Sequence, residues 1–80
     1  MPVAILRLFA QAREAAGTGR DELSGATVAE VLDAARARYG EAFGAVLATS
    51  RVWVNGEPAT DGDPVGAGDE VAVLPPVSGG

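Results

Sequence analysis

One segment restricts the possible folds more than any other. Thr27-Val28-Ala29-Glu30 carries the residue types of a reciprocal helix start. A threonine hydroxyl accepts the backbone N–H three residues on, and the glutamate carboxylate reaches back. Behind it Val28, Val31, Leu32, Ala35 and Tyr39 recur at i, i+3, i+4, i+7 and i+11, drawing one apolar stripe along a three-turn helix. Glu30, Asp33, Arg36 and Arg38 lie mostly off that stripe, and Gly40 predicts a left-handed stop. Such a stripe has to be covered. In 80 residues, enough for one domain with one core, the cover must be built from the short apolar runs on either side.

Those runs read as strands. Residues 3–9 are apolar apart from Arg7, a length and pattern that predict a strand buried over much of both faces. Arg51-Val52-Trp53-Val54 runs into Asn55-Gly56, the strongest hairpin dipeptide. Glu70 to Leu74 forms a last strand that leads directly into the closing residues. Residues 20–23 give a weaker strand, 11–16 a single helical turn stopped by Gly17, and 41–47 a short helical segment feeding Phe43, Val46 and Leu47 to the core. Asp61-Gly62-Asp63-Pro64 and Gly66-Ala67-Gly68-Asp69 are turns. A helix placed between an early strand pair and a later parallel strand must cross one sheet face in the right-handed sense, which allows the first and last strands to lie side by side at the centre. The expected fold is therefore α+β: a β-grasp, a mixed sheet packed on one main helix. The domain is expected over 1–74, with a flexible C-terminal Gly-Gly tail over 75–80.

Composition removes most kinds of chemistry. The chain has no histidine and no cysteine, and its six basic residues are all arginine. The usual general base near neutral pH, the commonest metal ligand, the thiol nucleophile and the Schiff-base amine are all missing from its side chains. An enzyme working alone would have only carboxylates, hydroxyls and guanidiniums, so a non-catalytic role is expected, with no bound cofactor and no metal. The formal net charge of −5 disfavours nucleic acid, which calls for a basic stripe, and favours a partner with a basic surface. No apolar run approaches the roughly 20 residues of a membrane span. In the first seven residues the charge follows the apolar stretch, unlike a signal peptide. The expected location is cytoplasmic.

The closing residues supply a chemistry that side chains do not. Pro75-Pro76-Val77-Ser78-Gly79-Gly80 pairs a stiff start with an unhindered end. The prolines fix φ and favour an extended Leu74. The two glycines lack Cβ atoms and pass through a slot too narrow for other residues. Six extended residues reach up to about 20 Å, enough to enter a buried partner site. The expected reagent is the chain's own terminal carboxylate.

The chain resembles the small subunit of molybdopterin synthase, a family of ubiquitin-like sulfur carriers. The resemblance spans nearly the whole length. It is carried by Leu8-Phe9-Ala10-Gln11-Ala12-Arg13-Glu14 with Gly17-Thr18, by Thr27-Val28, by Val54-Asn55-Gly56, and most specifically by the stretch from Gly68 to Gly80. It implies that an ATP-using adenylyltransferase, similar to the ubiquitin activators, adenylates Gly80. A sulfur donor then makes a thiocarboxylate. The tail, threaded into the large catalytic subunit, delivers sulfur to a pterin precursor of the molybdenum cofactor. ATP is used by the activating partner, and the chain itself is a carrier subunit of a sulfurtransferase complex. By the same resemblance Gly79 and Gly80 thread the slot, Val77 seats in an apolar notch, and Pro75 and Pro76 keep the tail extended. Phe9, Arg13, Pro58 and Leu74 match partner-contact positions. Leu74 stands where the family often has an aromatic residue, a difference that bears on affinity. Trp53 is expected to be a packing residue.

Other readings share the same activation. A carrier for thiazole or cysteine synthesis, and a protein modifier joined to target amines through Gly80, both need an adenylated terminus. A plain β-grasp interaction module would need none.

Overall fold

The computed structural model describes residues 2–76. Five strands form one mixed sheet in the order β2-β1-β5-β3-β4. They are β1 (Val3–Leu8), β2 (Arg20–Ser24), β3 (Arg51–Val54), β4 (Glu57–Pro58) and β5 (Glu70–Leu74). Three helices accompany them: α1 (Ala10–Ala16), α2 (Val28–Tyr39) and α3 (Glu41–Ala48). The first and last strands are the parallel central pair, with Leu6 beside Val71 and Leu8 beside Val73. Both pair outward with antiparallel neighbours. This is the β-grasp expected from the order of apolar runs.

The core lies on one face of the sheet. Ala4, Leu6 and Leu8 of β1, Leu23 of β2, and Val71 and Val73 of β5 are buried against Val28, Val31, Leu32 and Ala35 of α2. Ala12 of α1, with Phe43 and Leu47 of α3, completes the same cluster. Each fully buried Leu, Val or Phe contributes roughly 1.5–3 kcal/mol relative to exposure. The expectation that residues 3–9 would be buried on both faces is corrected here. The helices feed a single core, so Val3 remains 42% exposed and Ile5 half-buried on the side away from it.

The helix start differs from expectation in one bond. Glu30 N–H donates to Thr27 Oγ1 at 3.2 Å, but the Glu30 carboxylate accepts from Ala26 N–H at 2.9 Å, one residue before the cap. Gly40 also behaves differently. Its φ of 88° is positive, but its ψ of −167° takes it outside the left-handed helical region. That combination is essentially restricted to glycine, and it lets α2 end and α3 begin without an intervening loop. Tyr39 and Phe43 meet across this corner with ring centroids 5.3 Å apart.

Asn55 and Gly56 both have positive φ, 51° and 84°, as a tight hairpin turn of the primed type requires. Asn55 has a second task. Its Oδ1 accepts from Glu70 N–H at 2.9 Å, and its Nδ2 donates to Asp69 Oδ1 at 3.1 Å. The turn is thereby clasped to the start of β5. The Gly66 N–H and the Asn55 amide hold the Asp69 carboxyl below its ordinary value.

Asp21 ties β2 to the end of α2. It accepts hydrogen bonds from Tyr39 Oη and, at 2.7 Å, from Arg38 Nη1. Burial pushes the Asp21 carboxyl up, but the bonds from Tyr39, Arg38 and the Glu22 N–H outweigh it, leaving the group below the usual carboxylate value. Burial, followed by the bond to Asp21, pushes the Tyr39 phenol up to about 12. A carboxyl lowered by folding stabilises the fold above its unfolded pKa of about 3.9, and that contribution fades as pH falls through the folded value. Tyr39→Phe should therefore cost about 1 kcal/mol at neutral pH, a fall of about 4–8 °C in Tm for a domain this size. The deficit should be full near neutral pH and shrink as pH falls through the folded Asp21 value. Circular dichroism melts across pH 2–7 check this; a Tm gap that is absent at pH 7, or that stays undiminished down to pH 2, would contradict it.

Candidate partner-docking face at the tail root

The parallel central pair decides what surrounds the exit of β5. Leu8 lies beside Val73, and Phe9 remains extended at φ −124° and ψ 154°, so one further step sets it beside Leu74. On the other side of β5, Arg51 pairs with Leu74 and Trp53 with Ala72, and Pro58 pairs with Trp53. Strand alternation sends all of these to the face opposite the core. The row nearest the tail reads Phe9, Leu74, Arg51. The next reads Arg20, Arg7, Ala72, Trp53, Pro58. Phe9 is 41% exposed, Pro58 is exposed, and Leu74 and Trp53 are half-buried.

Phe9 keeps its place through a local constraint. Ala10 has a φ of 49°, a left-handed conformation costing roughly 1–2 kcal/mol for an L-residue. It turns the chain sharply from β1 into α1, so that Ala12 drops into the core while Phe9 stays outside.

Of the four partner positions implied by the resemblance, the fold brings Phe9, Leu74 and Pro58 onto one face. Arg13 sits elsewhere. Its side chain lies along Gly19, where a Cβ would meet Arg13 Nε at 3.4 Å. Gly19 O accepts from Leu8 N–H at 3.0 Å, so Arg13 occupies the same end of the sheet, at its corner. Pro75 is buried and Pro76 exposed. Pro75, expected as the first residue of the tail, is thus covered by its own domain. Val77, Gly79 and Gly80 lie outside the described residues.

Arg51 and Trp53 are the site residues that reading the sequence left out. Thr49, Arg51, Trp53, Leu74, Pro75 and Pro76 line a pocket of about 280 Å³ at the tail root. A groove of about 360 Å³ continues from it along the β3–β4 edge, lined by Val52, Pro58, Ala59 and Asp61. Trp53, expected to pack with its indole N–H near the surface, is half-buried, and its register against Ala72 sets it on the face away from the core; the alternation with Val52 and Val54 was the available signal for that side.

Charge is sorted across this face. Arg7 and Glu70 approach to 3.9 Å, and Arg20 and Glu22 to 3.2 Å. Both glutamates come from the third row, beside Ile5. Arg36 pairs with Asp33 and Arg38 with Asp21. Arg13 and Arg51 form no ion pair among the described residues. The overall acidity led to an expected basic partner, but net charge sums over the whole surface. The two rows nearest the tail contain arginines and no carboxylate. The described residues also hold no cluster of three or more potential metal ligands, and no helix among them is long and apolar enough to cross a membrane. Apolar at its centre and flanked by arginines, this face is suited to docking.

Comparison with known proteins agrees with the fold. The ThiS family model matches residues 6–80. The chain is similar to SAMP1 from Haloferax volcanii, with 35% identity over 98% of this chain and 99% of that one and a TM-score of 0.87. It is similar to a putative molybdopterin converting factor, subunit 1, from Pyrococcus furiosus: 26% identity, 96% and 100% coverage, TM-score 0.84. A third similarity is to a chain in a BexX/CysO complex of Amycolatopsis orientalis: 25% identity, 96% and 99% coverage, TM-score 0.82. No curated protein matches the sequence.

The division of faces generates a test. Leu6→Ala, in the core, should cost about 2–5 kcal/mol, whereas Phe9→Ala, on the outer face, should cost less than about 1 kcal/mol. Urea unfolding of the two variants measures the difference; equal losses would mean that Phe9 is a core residue.

Proposed function

The chain belongs to the ThiS family, the ubiquitin-like sulfur carriers and modifiers, and from that premise we propose that its reactive group is the Gly80 carboxylate. An adenylyltransferase joins this carboxylate to the AMP portion of ATP and releases pyrophosphate. A donor of sulfide-level sulfur then displaces AMP and leaves a thiocarboxylate. Transfer of the sulfur to an acceptor, with water supplying the replacing oxygen, returns the carboxylate. The acceptor we favour is a pterin precursor held by the large subunit of molybdopterin synthase, in the cytoplasm. The similarity to the Pyrococcus molybdopterin converting factor subunit supports this choice.

The observation that carries the proposal is the position of β5. Its last residue, Leu74, lies between Phe9 and Arg51 on a face the core does not use. A partner gripping this face sits where the chain departs. The five residues after Pro75 span at most about 17 Å, so the active site of that partner must open within that distance of the docking face. The prolines restrict the orientation in which the tail sets out. The partners supply all catalytic side chains, in keeping with a chain that has no histidine, cysteine or lysine.

A second reading, conjugation of Gly80 to protein amines, is favoured by the 35% identity to the Haloferax SAMP1 over almost the full length. Both readings begin with the adenylate and diverge at the acceptor. Higher-mass conjugates on a denaturing gel identify a modifier; their absence together with a restored carboxylate identifies a carrier.

Incubation with the adenylyltransferase, ATP and a sulfide donor should replace one oxygen by one sulfur in the intact mass. An unchanged mass with a competent enzyme would contradict the proposal. Deleting Gly79 and Gly80, or adding one residue after Gly80, should abolish the exchange while leaving Tm within about 2 °C of the parent, since both changes leave every buried residue of the described chain in place.

A further inference from the structure

We propose that the tail end of the sheet docks an acidic protein surface, one presenting carboxylates on both sides of an apolar patch, with Arg13 and Arg51 as the bracketing charges. The inference deepens the proposed function and rests on it for the identity of the partner. Across the tail end the order is Arg13 at Gly19, then Phe9, Leu74 and Arg51. The apolar residues are central and the guanidiniums flank them, as an interface with a dry centre and a charged rim requires.

The other four arginines are engaged by carboxylates of their own domain. The flanking pair makes no ion pair among the described residues, although Glu14 follows Arg13 directly. Both are exposed. In a chain of net charge −5, leaving these two charges uncommitted beside its most exposed aromatic residue marks the region for complementary negative charge. A nucleic acid fits poorly, since two uncommitted charges around an apolar centre give no track for a phosphate backbone. A protein surface with two separated acidic groups fits both charge and spacing.

The test uses the full chain and the purified adenylyltransferase, following pyrophosphate release. Arg13→Glu, Arg51→Glu and the control Arg36→Glu alter net charge equally, and Arg36 lies on α2, which covers the sheet face opposite Phe9 and Leu74. The first two should each raise KM for the chain about tenfold at low salt, with Arg36→Glu near parental. The effect should shrink in high salt, where the screening length falls from about 10 Å at 0.1 M to about 3 Å at 1 M. A KM for both variants matching that of the control, or a lower KM, would overturn the inference. Should the parent chain itself not be adenylated, the proposed function fails separately, and the surface is then judged by amide NMR shifts on titration with poly-L-glutamate and poly-L-lysine. Shifts confined to Phe9, Arg13, Arg51 and Leu74 with poly-L-glutamate sustain it. The same residues responding to poly-L-lysine, or no localised response to poly-L-glutamate, would refute it.

Discussion

The parallel pairing of β1 with β5 is the constraint on which the remaining structure depends. Parallel neighbours cannot be joined by a tight turn, so the chain must cross a sheet face between them. Here α2 makes that crossing and buries its apolar stripe as it does so. The same pairing fixes where the two strands end. Both finish at one edge, so the residue leaving β1 and the residue leaving β5 become neighbours. Phe9 and Leu74 meet because the central ladder is parallel, although 65 positions separate them in the chain.

From that ladder the division of labour between the faces follows. Even-numbered residues of β1 and odd-numbered residues of β5 point to the helices and make the core. Their alternates form a surface that the domain does not cover. Apolar residues cluster at its tail end, and the glutamates that balance Arg7 and Arg20 stand one row further away. An acidic protein therefore presents a locally basic, partly apolar edge where its chain departs. The adjacent backbone is constrained by Ala10, which accepts an unfavourable φ, and by Pro75, which is buried; at the opposite end of β5, Asn55 clasps the hairpin to the start of the strand.

Much of the fold was legible because local signals agreed with the global arrangement. Thr27, the stripe from Val28 to Tyr39, and Asn55-Gly56 each specify one local geometry with little competition. What escaped was information held in strand register. Trp53 and Arg51 sit in an ordinary-looking apolar run, where alternation groups them on one side and their pairing with Ala72 and Leu74 fixes which side that is. The exposure of Phe9 depends on the turn at Ala10, which sequence does not announce, since alanine rarely adopts positive φ. The Glu30 bond to Ala26 and the extended ψ of Gly40 arise from contacts and chain directions set by neighbouring segments. The charge reversal at the tail end was hidden for the same reason, because a sum over the chain carries no positions.

The central claim is that the chain's last carboxyl group, and no side chain, carries the transferred atom. The absence of lysine makes it directly measurable. Arg51 is the last tryptic site, so digestion releases residues 52–80 as one peptide containing the whole tail. Fragmentation mass spectrometry of that peptide, after reaction with ATP, the adenylyltransferase and labelled sulfide, locates the sulfur. The account predicts label on the fragment ending in Gly80 and on none of the fragments that stop before it. Label elsewhere in the peptide, or an unlabelled Gly80 alongside pyrophosphate release, would contradict it.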